Sequence, residues 1–259
     1  MRFVLVATGQ EHVKRVNLAL QFLRKFSKKD IVVIHARADG INLDGVSEDI
    51  ELTDLDDWSD IELNRFAKTQ LYKLVEGPAC YIDNDVFAVS PEVDSIFDHL
   101  QSPVTFGTDH VVTLDYFSTW SVKDGTLSQR IKDDFCIETD PKWKLWNGGV
   151  FMYDDGCQSF MDNWYHMTYQ AFGSCDWHNR DQGTLAAAAF FHGLQDHPRL
   201  PVEYNWIVQH SGLSWNEPGT VFEDGKFRNG DKEIKFMHFI SKGEGRDAEE
   251  YQQALSLLQ

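Results

Sequence analysis

Two apolar runs, Arg2-Phe3-Val4-Leu5-Val6-Ala7-Thr8 and Ile31-Val32-Val33-Ile34, bracket a stretch with helical periodicity. Between His12 and Phe26, Val13, Val16, Leu20 and Leu23 recur on one face, and Ala19, Phe22 and Phe26 widen it. A helix between two buried strands is how parallel α/β sheets begin, because parallel neighbours need a long crossover. This opening therefore restricts the chain to an α/β sheet. Ligands of such sheets collect beyond the carboxyl ends of the strands, which here are Ala7-Thr8-Gly9 and His35-Ala36.

The remaining pattern extends that plan. Residues 37–57 are polar and acidic, with one short strand expected at Ile50-Glu51-Leu52. Ser59-Asp60-Ile61-Glu62 is a capping box, which satisfies the first free amides of a helix. That helix is expected to reach about Leu74 with Leu63, Phe66, Ala67, Gln70, Leu71 and Leu74 along one side, Arg65 and Lys68 near it, and Gly77-Pro78 as its stop. A short helix to Leu100 should follow Ser90-Pro91. Strands are expected over 104–106 and 148–153, helices over 157–172 and 183–191, and an irregular region to about Lys144. Strands between Val221 and Phe239 should turn at Asp224-Gly225 and Asn229-Gly230, before a last helix over 247–258. With no repeat or flexible linker in view, 259 residues read as one domain.

A formal net charge of -17 argues against nucleic acid or anionic lipid as partners, since both need a basic face. Cys80, Cys136, Cys157 and Cys175 lie far apart and make no Cys-x-x-Cys pair, which fits reduced thiols. The first strand is too short for a signal sequence, and no apolar run approaches the ~20 residues of a membrane span. A soluble, cytoplasmic protein is the expectation.

Chemistry concentrates in a few places. In Ala79-Cys80-Tyr81-Ile82-Asp83-Asn84-Asp85-Val86-Phe87-Ala88-Val89, a buried strand delivers Asp83 and Asp85 to one place. Residues i and i+2 of an extended chain point the same way. Two carboxylates that close are either solvated at a turn or held by a hard divalent cation, often shared with substrate phosphates. A phosphatase-type nucleophile, Asp83, with Asp85 as its acid is the other chemical reading. Neither a Gly-x-Gly-x-x-Gly nor a Walker loop is present, which removes support for dinucleotide and P-loop chemistry. Trp146-Asn147-Gly148-Gly149 allows close approach of a ligand to backbone, or is a plain turn. Asn179-Arg180-Asp181-Gln182-Gly183 either caps a helix or presents a carboxylate and an amide to a polar substrate. His238 interrupts the apolar run Lys235-Phe236-Met237-His238-Phe239. It is a core histidine or a ligand, and Lys242 follows in a glycine-containing loop that could approach phosphate. Trp206 and Trp215 are read as core ahead of acceptor stacking faces.

The order of Lys68-Thr69, Tyr81-Ile82-Asp83-Asn84-Asp85, Asn147-Gly148-Gly149, Asp181-Gln182 and His238-Phe239 resembles GT-A glycosyltransferases, especially the glycogenin-like retaining family. The resemblance runs from Val4 to about Lys242 and rests on short motifs. It implies a GT-A, Rossmann-like α/β fold: a mixed, mainly parallel sheet with helices on both faces. Residues 1–89 would form the nucleotide-binding half and 90–259 the donor-sugar and acceptor half. It implies Mn²⁺ (or Mg²⁺) on Asp83, Asp85 and His238, and a nucleotide sugar, UDP-linked, as donor. Ala7 and Thr8 would touch the uridine, and Lys68 and Asn84 would lie by the donor. Asn147, Gly148, Asp181 and Gln182 would line its sugar, with Gln182 and Asp181 as catalytic residues. Lys242 would clamp the diphosphate, although here it stands without the Pro-Trp that follows in the family. The activity implied is hexosyl transfer with retention to a carbohydrate or glycoconjugate acceptor. The rival expectations are a haloacid-dehalogenase-like phosphatase and a non-catalytic nucleotide-sugar binder.

Overall fold

A computed structural model describes residues 1–53, 57–109, 113–178, 180–208, 220–240 and 249–259. Strands β1 (Arg2–Thr8) and β2 (Asp30–Ala36) pair in parallel from Arg2↔Asp30 to Thr8↔Ala36, with α1 (Val13–Phe26) between them. Alternate residues of β1 feed two cores. Phe3, Leu5 and Ala7 join α1 on one face, while Val4 and Val6 join the other, as a side-chain period of two requires. On α1, Val16, Leu20, Phe22 and Leu23 are wholly buried, and each such side chain stabilises the fold by about 1.5–3 kcal/mol. Strand β3 (Glu48–Glu51) extends the sheet beyond β2.

Helix α2 (Asp60–Thr69) opens on the expected capping box: Glu62 N donates to Ser59 Oγ, and Ser59 N donates to Glu62 Oε2 at 2.8 Å. The helix expected to run unbroken to Leu74 is in fact two. Gln70 leaves helical geometry at φ -114°, and α3 (Leu71–Leu74) starts afresh. Just before that break, Thr69 Oγ1 donates to the Arg65 carbonyl at 2.7 Å, a back-bond that bends helices.

Strand β4 (Ala79–Ile82) pairs with β1 on the side away from β2, and β5 (Val86–Ala88) leaves the main sheet. With β6 (Val104–Thr108) and β7 (Trp146–Tyr153) the order is β3-β2-β1-β4-β7-β6. Within this sheet β7 is the reversed strand, antiparallel to both β4 and β6. The fold is thus a GT-A-like, mixed and mainly parallel sheet with helices on both faces. Region 109–144, expected to be irregular, carries α4 (Ser118–Ser121) and α5 (Leu127–Phe135) among its described residues. Helices α6 (Gln158–Phe172) and α7 (Arg180–Phe191) cover the face opposite α1. Helix α7 starts three residues ahead of the expected Gly183, so Asp181 and Gln182 occupy its first turn.

The late strands serve two small sheets. Strand β8 (Trp206–Ile207) belongs with the site. A separate meander is formed by β9 (Val221–Glu223), β10 (Lys226–Asn229) and β11 (Lys232–Glu233). Strand β12 (Phe236–His238) lies between β5, antiparallel to it, and β8, parallel to it. Helix α8 (Glu249–Ser256) closes over the α1 face, where Tyr251 meets Phe87 and Phe239. Trp206 is core, with its indole N–H donated to Thr220 at 2.8 Å. Trp215, Lys242 and Asn179 lie outside the described residues. Among the described residues, no helix is long and apolar enough to cross a membrane.

Candidate functional site

The site begins where β4 stops. The chain turns over Asp83-Asn84-Asp85, with Val86 N donating to Asp83 O at 3.1 Å. The two carboxylates therefore meet through a tight turn, and not through the i, i+2 alternation expected of an extended strand. Two fasteners hold the turn. Asp83 N donates to Gly149 O on β7 at 2.8 Å, and Phe239 N donates to Asp85 O at 2.9 Å. The second places β12 alongside, in the register His238↔Val86. His238 Nε2 consequently lies 3.4 Å from Asp85 Oδ1. One donor atom from each of Asp83, Asp85 and His238 falls within 4.8 Å of the others. The imidazole is buried at 5% exposure, while the Asp83 and Asp85 side chains are each 28% exposed.

Lys68, on the last turn of α2, is the positive centre. Its Nζ sits 3.3 Å from Asp83 Oδ1 and 3.4 Å from Asp181 Oδ2, over the ring of Tyr81. One turn earlier on the same helix, Arg65 Nε reaches Asp181 Oδ1 at 2.7 Å. Tyr81 also donates its hydroxyl to Asp83. Arg65 joins the site by its three-residue offset from Lys68, a spacing that puts both on one helix face.

Amides fill the other side. Gly148 N donates to Gln182 Oε1 at 3.0 Å, and Gln182 Nε2 donates to the Trp146 carbonyl. Asn147 Nδ2 donates to Asp109 Oδ2 at 2.9 Å, and its Oδ1 accepts from Gly149 N at 2.8 Å. Both side-chain amides are thus engaged with their own surroundings. A Cβ at Gly149 would fall 2.3 Å from His238 Cε1, so only glycine lets the imidazole come this close. Asn84 bonds His12 Nδ1 at 2.8 Å; Thr8 donates its hydroxyl to Asp60 O at 2.7 Å; Ala7 lies fully in the core. Asp109 and Asn205 are participants that no sequence motif marks.

Charge states follow from these contacts. Burial works against an ionised Asp181, but Arg65 and Lys68 outweigh it and hold its carboxyl below the usual range. Burial likewise opposes ionisation of Asp85, and the adjacent His238 reverses the balance to leave it lowered. For His238, burial pulls down and Asp85 pushes up, with a net rise. Burial, then Asp83, drive Tyr81 well above its ordinary value, so it remains a hydroxyl donor.

The donor set fits a divalent cation. Two carboxylates and an imidazole are hard and borderline ligands, and they converge where negative charge exceeds what Lys68 supplies. The ring nitrogen facing Asp85 is supported from behind, because His238 Nδ1 lies 3.0 Å from Asn205 Oδ1. Ligating histidines are held in this way.

Neither a family model nor a curated protein sequence matches the chain. Solved structures do. The chain aligns with the apo structure of WbbM, a bifunctional glycosyltransferase, at TM-score 0.66 and 13% identity, over 98% of this chain and 49% of that one. It thus spans about half the length of WbbM. It also aligns with the apo crystal structure of mouse xyloside xylosyltransferase 1 at TM-score 0.54 and 9% identity, over 92% of this chain and 97% of that one. At these identities the likeness is one of fold.

Proposed function

We propose that this protein is a glycosyltransferase that moves a sugar from a nucleoside diphosphate sugar, UDP-linked, to a carbohydrate or glycoconjugate acceptor. The observation that carries this reading is the convergence of Asp83, Asp85 and His238 at the carboxyl end of β4. In this sheet β4 and β2 leave β1 on opposite sides, and such a switch point is where α/β sheets bind ligands. The fold shared with two glycosyltransferases adds support.

In this proposal Asp83, Asp85 and His238 hold the divalent cation, and the nitrogen donor favours Mn²⁺ over Mg²⁺. Neutralisation of the diphosphate and Lewis-acid help to the departing nucleotide are what such an ion supplies there. Lys68, steered by Asp181, presents its ammonium beside Asp83 and offers a second positive charge to the donor. Gln182 fixes the backbone at Gly148, so Asp181 and Gln182 act by positioning the groups around the sugar. Ala7, Thr8 and Asn84 belong to the nucleotide side, Asn147 and Gly148 to the sugar side, and Lys242 to the diphosphate. Retention of configuration is supported by the state of Asp181: Arg65 and Lys68 occupy both its oxygens, which leaves it poorly placed as a base. The acceptor's proton then goes to a leaving phosphate oxygen. The order of motifs extends the proposal to a glycogenin-like hexosyltransferase with nucleotide and acceptor halves over 1–89 and 90–259. The four unpaired cysteines suit a cytoplasmic location.

The test is UDP release from a panel of UDP-sugars with Mn²⁺, with EDTA, and in Asp85→Asn. Release that needs the metal and is lost in the variant is expected. Binding of UDP-sugar without turnover under any metal would leave a non-catalytic binder, and turnover of p-nitrophenyl phosphate would point to a phosphatase.

A further inference from the structure

We infer that Asn205 fixes which nitrogen of His238 is free to ligate, and that Asp109 and Asn147 set the orientation of Asn205. The inference rests on the metal reading above for its purpose, but its geometry stands without it.

One chain of hydrogen bonds links Asp109, Asn147, Asn205 and His238, and two groups of fixed role, the Asp109 carboxylate and the Gly149 N–H, orient it. The Asp109 carboxylate is an acceptor, so the Asn147 atom facing it at 2.9 Å is the NH₂ group. The Gly149 N–H can only donate, so the Asn147 atom facing it at 2.8 Å is the oxygen. Asn147 is thereby pinned from both sides. Its oxygen has one further lone pair, and the Asn205 atom 3.1 Å from it must be the donating NH₂. That turns the Asn205 carbonyl oxygen toward His238 Nδ1, 3.0 Å away. An amide oxygen cannot donate, so Nδ1 carries the hydrogen. A neutral imidazole protonated at Nδ1 has its lone pair at Nε2, which is the nitrogen that faces Asp85.

Burial makes the setting firm. Asn205 is 2% exposed, Asn147 6% and Asp109 7%, so solvent has little access to replace a partner in this chain. Asn205 also lies against the backbone of β6, where a Cβ at Gly107 would come within 2.9 Å of the Asn205 Cβ. Its place follows from β8, which starts at the next residue and runs parallel to β12 with Ile207 opposite His238. Asn205 is therefore a positioning residue, acting through the imidazole.

The test uses long-range ¹H–¹⁵N NMR of the metal-free protein above the pKa of His238, whose signal is assigned by its loss in His238→Gln. The wild-type ring is expected to be protonated at Nδ1. In Asn205→Ala, Nε2–H should appear, and the affinity for Mn²⁺ alone, measured by calorimetry, should fall by about 10–100-fold. Asn205→Asp keeps an acceptor facing Nδ1 and should restore the tautomer, a rescue that a purely structural role does not predict. A wild-type ring protonated at Nε2 overturns the inference even if neither Asn205 variant folds, as does an Asn205→Ala protein with unchanged tautomer and Mn²⁺ affinity. An Nδ1–H ring in a wild-type protein that takes up no Mn²⁺ supports the tautomer assignment and overturns the metal reading instead.

Discussion

Lys68 stands between two acidic groupings that the fold treats differently. Asp181 is 4% exposed, and Arg65 and Lys68 engage its two oxygens, so its charge is met within the protein. Asp83 and Asp85 are partly open: Lys68 and the Tyr81 hydroxyl meet Asp83, and an imidazole 3.4 Å away meets Asp85. The closed grouping fixes where a helix puts its cations. The open one is short of positive charge, and that shortfall is what suits it to a cation under the proposed function.

The contrast can be broken most forcefully from the closed side. Asp181→Ala leaves Arg65 and Lys68 close together with no carboxylate between them, and breaking a buried pair this way costs about 3–5 kcal/mol. Urea unfolding should read that loss; a loss near zero would mean both cations relax onto Asp83, and the distinction would dissolve. Acid should reveal the same pair. Because the folded Asp181 pKa lies below its ordinary 3.8, its contribution is present above that value and disappears as pH falls through the folded one. The stability gap between wild type and Asp181→Asn should therefore hold at neutral pH and narrow only in acid.

Next in size is the open side. At a Mn²⁺ concentration about 100 times Kd, binding stabilises by about 2.7 kcal/mol, or roughly 5–10 °C in Tm for a chain of this length. Asp85→Asn should abolish the shift, and because it gives up the contact with His238 its metal-free Tm should fall modestly. A shift that survives the substitution would locate the ion elsewhere. Gly149→Ala tests whether the imidazole's approach is fixed, since the new methyl would meet His238 Cε1 at 2.3 Å. Overpacking of this kind costs about 1–3 kcal/mol, and Mn²⁺ affinity should fall with it. The mildest lever is Ser59→Ala, which opens the cap of the helix carrying Arg65 and Lys68. It should cost about 1 kcal/mol and raise the Glu62 pKa, which the Ser59 side chain and backbone hold down. Mn²⁺ affinity should not change.

Local signals accounted for the β1-α1-β2 unit and the Ser59 cap, whereas the grouping of His238 with Asp83 and Asp85 was implied only by the order of the motifs along the chain. Features whose cause is distant were not legible. Helix α5 has only Leu127 and Ile131 buried, too few to show a period among its polar residues. Its one local mark is Thr126 Oγ1 accepting from Gln129 N. Gly183 looked like a boundary but sits inside α7, because a Cβ there would come within 2.7 Å of Trp177. Asn205 carries no motif at all. Its role exists only through the register of β8 against β12, a pairing that residue spacing does not encode.

The two fasteners on the acidic turn, one from β7 and one from the backbone of Phe239, have a consequence for biosynthesis. Chain growth is vectorial, so the ribosome delivers Asp83 and Asp85 well before it delivers the histidine and the strand that aligns it. A nascent polypeptide thus carries an incomplete set of these three side chains through most of its elongation. Under the proposed function, cation uptake would become available only once β12 has docked, which would make it a late marker of successful maturation.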